Sequence, residues 1–187
     1  MKKNIISLIA LGLLSINANA YVLQNYGYVG IGIGESTPQI RYSGNESEDF
    51  SNAINLAFGY VSKDTHRYSL EIQSGLQNHL ELEGLKFNTN LTKVKLNYDF
   101  IIKNLVTNTG IFLGIGGSGD MLHISSSDVK DKTNYGGGVL GRIGLLQDIG
   151  QSLQAEIRYE KSMDYLKFNS IEMKGTENWT IAINYKF

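Results

Sequence analysis

NWTIAINYKF, residues 178–187, decides the fold. Trp179, Ile181, Ile183, Tyr185 and Phe187 occupy every second position, with Thr180, Ala182, Asn184 and Lys186 between them. Successive side chains of a strand point to opposite faces, so this segment has one wholly apolar face and one polar face. A strand of this kind with a free edge is an aggregation hazard in water. Closed into a barrel it pairs with the first strand, and its apolar face meets lipid.

The other end of the sequence agrees with that expectation. Lys2 and Lys3 form a positive n-region, Ile5 to Leu14 an apolar run, and Ala18-Asn19-Ala20 an A-x-A cleavage site. The run is too short for a spanning helix, which needs ~20 residues. Residues 1–20 therefore read as an export signal, and 21–187 as the mature domain. The formal charge of −1 gives no basic balance that would point to nucleic acid. A slightly negative mean hydropathy does not argue for a water-soluble protein here, because half of every barrel strand faces the lumen. With no Cys, no disulfide holds the fold after export. A single Pro suits long paired strands, in which Pro removes a ladder donor.

Alternation recurs along the chain from Tyr21. Strands are expected at about 22–35, 51–61, 67–77, 88–100, 106–116, 135–147, 153–160 and 178–187. In the first, Val29, Ile31 and Ile33 oppose Gly30, Gly32 and Gly34; in the second, Ile54, Leu56, Phe58 and Tyr60 oppose Ala53, Asn55, Ala57 and Gly59. In the third, Tyr68, Leu70 and Ile72 oppose Ser69, Glu71 and Gln73; in the fourth, Val94, Leu96, Tyr98 and Phe100 oppose Lys93, Lys95, Asn97 and Asp99. Ile111, Leu113 and Ile115 oppose Gly110, Phe112 and Gly114, and Val139, Ile143 and Leu145 oppose Gly138, Arg142 and Gly144. Leu153, Ala155, Ile157 and Tyr159 oppose Gln154, Glu156, Arg158 and Glu160. Alternating strands of about 9–11 residues are what a membrane barrel requires.

The expected connections alternate in length: short at 62–66, 101–105 and 148–152, long and polar at about 36–50, 78–87, 117–134 and 161–177. Short periplasmic turns and long outer loops are the asymmetry of such barrels. That orientation puts Tyr60, Tyr68, Tyr98, Phe100, Tyr185 and Phe187 at periplasmic strand ends and Tyr159 and Trp179 at outer ends, as two aromatic girdles. A water-soluble β-sandwich predicts alternation but not aromatics sorted by strand direction. The fold expected is all-β: an eight-stranded antiparallel up-and-down transmembrane barrel behind an N-terminal signal peptide.

The ending Tyr185-Lys186-Phe187 resembles the C-terminal sorting signal of bacterial outer-membrane barrels, although Ala182 stands where that signal most often has Gly. With YGYVGIGIGES (26–36) and NTGIFLGIGG (108–117), the mature segment resembles the eight-stranded barrels of the OmpA transmembrane domain, OmpX/Ail and opacity-type proteins. The resemblance specifies the fold better than the function. It implies a Gram-negative outer-membrane location, contact with outer-membrane lipid and lipopolysaccharide, and engagement of the barrel-assembly machinery through the terminal strand. It further implies a monomeric barrel, with loops for adhesion, serum-factor or matrix-protein binding, or a role in envelope integrity.

Inward positions collect charge: Glu71, Lys93, Lys95, Asp99, Arg142, Glu156, Arg158 and Glu160. Eight strands enclose a space just wide enough for side chains to fill, and buried charges are costly unless paired. A structural ion-pair network is favoured over a gated ion path. A hairpin centre at Gly150 sets Arg142 opposite the Glu156–Arg158 stretch, where an Arg142–Glu156 pair is expected, and one at Leu82 sets Glu71 opposite Lys93. His123, with Ser125 two residues on and Asp128 nearby, has the residue types of a base, nucleophile and orienter. It also faintly resembles the His-x-Ser pair of lipid A deacylase barrels, but Ser126 follows and no Asn-Pro-Gly does. A polar surface loop accounts for the same residues, so no catalytic residue is assigned.

His66 and His79 lie far from His123 in the sequence, and no metal or cofactor motif is present. GIGIG and GIGGSG lack the helix and the Lys-Ser/Thr of a phosphate loop. Tyr165, Leu166, Phe168, Ile171 and Met173 make the fourth loop apolar, as a binding patch or as packing on its neighbours. The leading expectation is a non-enzymatic surface protein. A small pore and a lipid A-modifying enzyme are the alternatives.

Overall fold

The structure, a computed structural model, describes residues 25–42, 45–48, 50–76, 78–82, 85–104, 108–126, 129–168 and 171–187. The expected signal segment, residues 1–20, lies outside them. Ten strands form one antiparallel sheet: β1 (Asn25–Tyr42), β2 (Asn45–Glu48), β3 (Ser51–Ser62), β4 (His66–Gly75), β5 (Asn78–Leu82), β6 (Leu85–Asn104), β7 (Thr109–Ser126), β8 (Val129–Ile149), β9 (Leu153–Phe168) and β10 (Ile171–Lys186). Eight of them close a barrel through the β1–β10 pair, in which Ile31 faces Ile183 and Gly34 faces Thr180. The short β2 and β5 pair with the outer parts of β1 and β6.

The alternation seen in the sequence sets the two faces. Along β3, buried and exposed positions alternate from Ser51 through Phe58. The exposed positions are apolar: Ile33 is 68% exposed, Leu96 67% and Ile115 69%, a belt that only lipid can cover. No helix of the described residues is long and apolar enough to cross a membrane, and the crossing is made by strands. At the end that carries the short turns Tyr68 packs on Tyr98, and His66 lies against Tyr98 and Phe100. At the other end Tyr159 and Trp179 meet at 4.9 Å between ring centroids.

Turn chemistry fits the short ends. Lys63 and Asp64 both take positive φ (51° and 54°), as the two central residues of a type I′ hairpin must. Gly150, at φ 71°, opens the β8–β9 turn. A paired row running from Phe100 through Leu113, Ile143, Tyr159, Trp179, Glu35 and Asn52 returns to β4 at Leu76, ten positions above His66, which itself pairs with Phe100. With ~3.3 Å per residue and ~4.8 Å between strands, this stagger tilts the strands by about 40°.

The long outer loops expected at 117–134 and 161–177 are corrected by the structure. β7 runs on to Ser126 and β8 begins at Val129; β9 runs to Phe168 and β10 begins at Ile171. The strands therefore continue past the membrane as protruding hairpins. Their polar residues hid this, because above the lipid the outer face turns polar and the alternation fades.

The barrel is narrow enough for inward glycines to be sterically required. A Cβ on Gly34 would fall onto the backbone carbonyl oxygen of Trp179, and one on Gly114 onto the carboxylate of Asp99. Gly34→Val is expected to block closure between β1 and β10, and the variant should show no folded, heat-shifted band on a gel.

Candidate functional site

The lumen is built in layers. Nearest the short turns, Asp148 takes Lys103 at 2.8 Å and Lys186 at 2.9 Å. Above it lies an apolar layer of Tyr26, Tyr28, Ala57, Val61, Ile101, Phe112 and Leu146, all buried. The guanidinium of Arg67 sits 4.2 Å from the Phe112 ring centroid and joins this layer to the charges above.

The middle layer interlocks three arginines with three carboxylates. Arg67 Nε donates to Asp99 at 2.6 Å and its Nη1 to Glu156 at 2.7 Å. Arg142 Nε and Nη2 each donate to Asp99 at 2.6 Å, and Nη1 donates to Glu71 at 2.5 Å. Arg158 bridges Glu71 at 2.7 Å and Glu156 at 2.9 Å. Toward the outside follow Lys95 on Glu160 at 2.6 Å and Lys93 on Asp164 at 2.7 Å, with Ser162 and Thr176 also donating to Asp164. Leu122, Leu166 and Met173, with Leu91 against them, form a second apolar layer. Arg67, Lys93, Lys95 and Phe112 are among the fully buried side chains, which leaves no room for water beside them.

All the charged residues expected inside do face inward, and two pairings need correction. The expected Arg142–Glu156 pair does not form: Arg142 lies opposite Glu160 in register and bonds Asp99 and Glu71, while Glu156 takes Arg67 and Arg158. Glu71 lies opposite Lys95, not Lys93. Both slips are of two residues, because each hairpin centre falls one position from where the loop sequence placed it. A two-residue slip preserves the facing of every side chain and changes only its neighbours.

Sequence reasoning also missed Arg67, Asp120 and Asp164. Arg67 has the same parity as Glu71 and was within reach of the periodicity. Asp120 and Asp164 fell in segments expected to be loops.

The catalytic alternative gains no geometry. His123 and Ser125 lie on the outward parity of β7, opposite in facing to buried Asp120 and Leu122. His123 is exposed, with its Nδ1 3.1 Å from Thr133 Oγ1; Asp128 lies outside the described residues. His66 belongs to the aromatic girdle at the short-turn end, its Nδ1 2.8 Å from the Tyr98 hydroxyl. The apolar fourth hairpin divides: Leu166 and Met173 pack inside, whereas Tyr165 is 76% exposed. The side chains of Phe168 and Ile171 lie outside the described part. Just above the outer girdle, Lys161 donates to Glu177 at 2.7 Å and holds that carboxyl below its ordinary range.

No known family profile and no curated protein matches this sequence. Solved structures do. Neisserial surface protein A superposes with a TM-score of 0.70 at 12% identity, over 86% of this chain and 97% of that one. The N-terminal β-barrel domain of OprF from Pseudomonas aeruginosa gives 0.58 at 13%, over 86% and 97%. Ail, the attachment invasion locus protein of Yersinia pestis, in complex with the heparin analogue sucrose octasulfate, gives 0.56 at 14%, over 86% and 99%. At these identities the likeness establishes the fold alone, and with the apolar outer belt it is sufficient: the chain is an eight-stranded transmembrane β-barrel with the architecture of small bacterial outer-membrane proteins.

Proposed function

We propose that the protein is a non-enzymatic surface protein of the Gram-negative outer membrane, with the barrel as anchor and the protruding hairpins as working surface. Residues 1–20 serve as a cleaved export signal, and the strand ending at Phe187 addresses the assembly machinery. The observation that carries this reading over a pore is the lumen: a layer of interlocked ion pairs lies between two apolar layers. Buried charges so paired are costly to separate, so the interior supports an anchor. The hairpins favour recognition, because paired strands present their side chains on a rigid support.

Two measurements test this. In planar bilayers the folded barrel is expected to leave conductance at background, and discrete channel openings would replace the anchor by a pore. Cells displaying the intact protein are then compared with cells whose β7–β8 and β9–β10 hairpins are cut to short turns, after a heat-shift gel has confirmed folding. Binding to matrix proteins, serum proteins and a heparin-like polysaccharide is read, the last because Ail has been captured with a heparin analogue. Loss of binding with the hairpins supports the reading. Absence of binding by both shifts it to envelope integrity.

A further inference from the structure

We propose that Asp120 on β7 and Asp164 on β9 form a proton-binding site in the lumen, one proton being held between the two carboxyls and tying these strands together across β8. The two carboxyls stand within hydrogen-bonding reach of each other, and both are buried, at 2% and 3% exposure. The strand between them puts no side chain in the way. Gly136 pairs with Asp120 and Gly138 with Asp164, both on the inward face of β8. A Cβ on Gly138 would fall 2.5 Å from Asp164 Oδ1. The glycines thus leave the space into which both carboxyls point.

Acceptors outnumber donors at this level. Asp164 Oδ2 receives Lys93 Nζ at 2.7 Å, Ser162 Oγ at 2.9 Å and Thr176 Oγ1 at 2.6 Å. Its Oδ1 has no hydrogen-bond partner among the described residues, and neither oxygen of Asp120 has one. Lys93 Nζ stands 4.0 Å from Asp120 Oδ1, too far for a hydrogen bond. On the neighbouring elements Lys95 of β6 is taken by Glu160 of β9 at 2.6 Å. Thr176 and Asn178 of β10, Gln73 of β4 and Leu140 of β8 are buried and carry no charge. One ammonium therefore faces two carboxylates, and a buried carboxylate without donors is costly. Leu122 and Leu166, each two residues farther along its strand, close the level to water with Met173 and Leu91.

A single proton satisfies all of these groups. Asp120 as the acid donates to Asp164 Oδ1. Its other oxygen accepts from the Ser118 hydroxyl, two residues earlier on the same face and without another partner among the described residues. Lys93 then balances the one remaining carboxylate. Two carboxyls that share a site do not both ionise readily. A calcium ion fits less well, because it takes about six to eight oxygens, and the unpartnered ones are both of Asp120, Oδ1 of Asp164 and Oγ of Ser118. The folded barrel binds this proton more tightly than the unfolded chain does. Its contribution to stability is therefore full below the ordinary carboxylate pKa and declines as pH rises to that of the site. Above that, the proton has left to water and two like charges push β7 and β9 apart.

Infrared spectra of the parent and of Asp120→Asn at neutral pH, with folding confirmed by heat-shift gel, test the site. The parent is expected to show a carboxylic-acid C=O band that Asp120→Asn lacks. Asn supplies the acid's donor and acceptor without its proton, so the urea midpoint of Asp120→Asn should be no lower than the parent's. Asp164→Asn takes the ionised partner from Lys93 and should lower it. With rising pH the parent's midpoint should fall relative to that of Asp120→Asn until the acid band vanishes, and no further. Absence of the band at neutral pH would overturn the proposal, as would an Asp120→Asn midpoint as low as that of Asp164→Asn. So would a parent midpoint that rises with sodium or calcium at constant ionic strength while that of Asp120→Asn does not, since a metal ion would then stand in the proton's place.

Discussion

Replacing Asp99 with Ala is expected to cost the folded barrel about 3–5 kcal/mol, the range for removing one partner of a buried charge set. Asp99 is fully buried and receives Arg67 Nε and both Arg142 Nε and Nη2. Without it, Arg67 keeps only Glu156, and Arg142 keeps only Glu71 and Ser69. Two guanidiniums then lie in a water-free layer with too few acceptors. The measurement is the urea midpoint in detergent or vesicles for the variant and its parent. Lys161→Ala, which breaks the exposed pair with Glu177, is the control and should shift stability by no more than a few tenths of a kcal/mol. Equal, small effects of the two would show that water reaches Asp99 and that the lumen is not sealed.

Phe112→Ala is expected to cost about 3–5 kcal/mol as well, by a different route. The ring is fully buried in the inner apolar layer and forms the surface on which Arg67 rests, with Arg142 5.8 Å from the same centroid. Truncation leaves a cavity beneath a buried cation and removes the ring face that partly solvates it. Phe112→Leu separates the two contributions. It keeps most of the volume and loses the ring, so its cost should be about 2 kcal/mol, the size of a desolvated cation–π contact. If Leu proves as damaging as Ala, shape at this position outweighs the ring's electrostatics.

Much of the architecture was legible because period-two alternation is local. Tyr60, Tyr98, Phe100, Tyr185, Trp179 and Tyr159 could be sorted onto girdles from strand direction alone, and the inward facing of Glu71, Lys95, Asp99, Arg142, Glu156 and Arg158 followed from parity. The partners of those charges were not legible. Arg142 and Arg158 converge on Glu71 across the lumen from β8 and β9 to β4, and no spacing along the chain encodes a cross-lumen contact. The same limit hid the role of Tyr26 and Tyr28. Their parity is inward, but only ring closure brings them beside Phe112 and Ile101 as one layer.

The hairpin extensions show a second limit. Beyond the girdle both faces of a strand can be polar, so Lys161-Ser162-Met163-Asp164 reads as loop although Ser162 and Asp164 point inward beside Lys93. Tyr165 then appears as part of an apolar loop, whereas in the barrel it pairs with Gly137 on the outer face.

The sequence by itself determined that this chain is a lipid-facing barrel and which side chains enter its interior, because both depend only on the two-residue period and on water's exclusion from the bilayer. The tertiary structure alone decided which inward charges meet and which inward rings share a layer. Both depend on register and shear around the closed ring, and a stagger of ten residues accumulated over eight strands is a property of the assembled sheet.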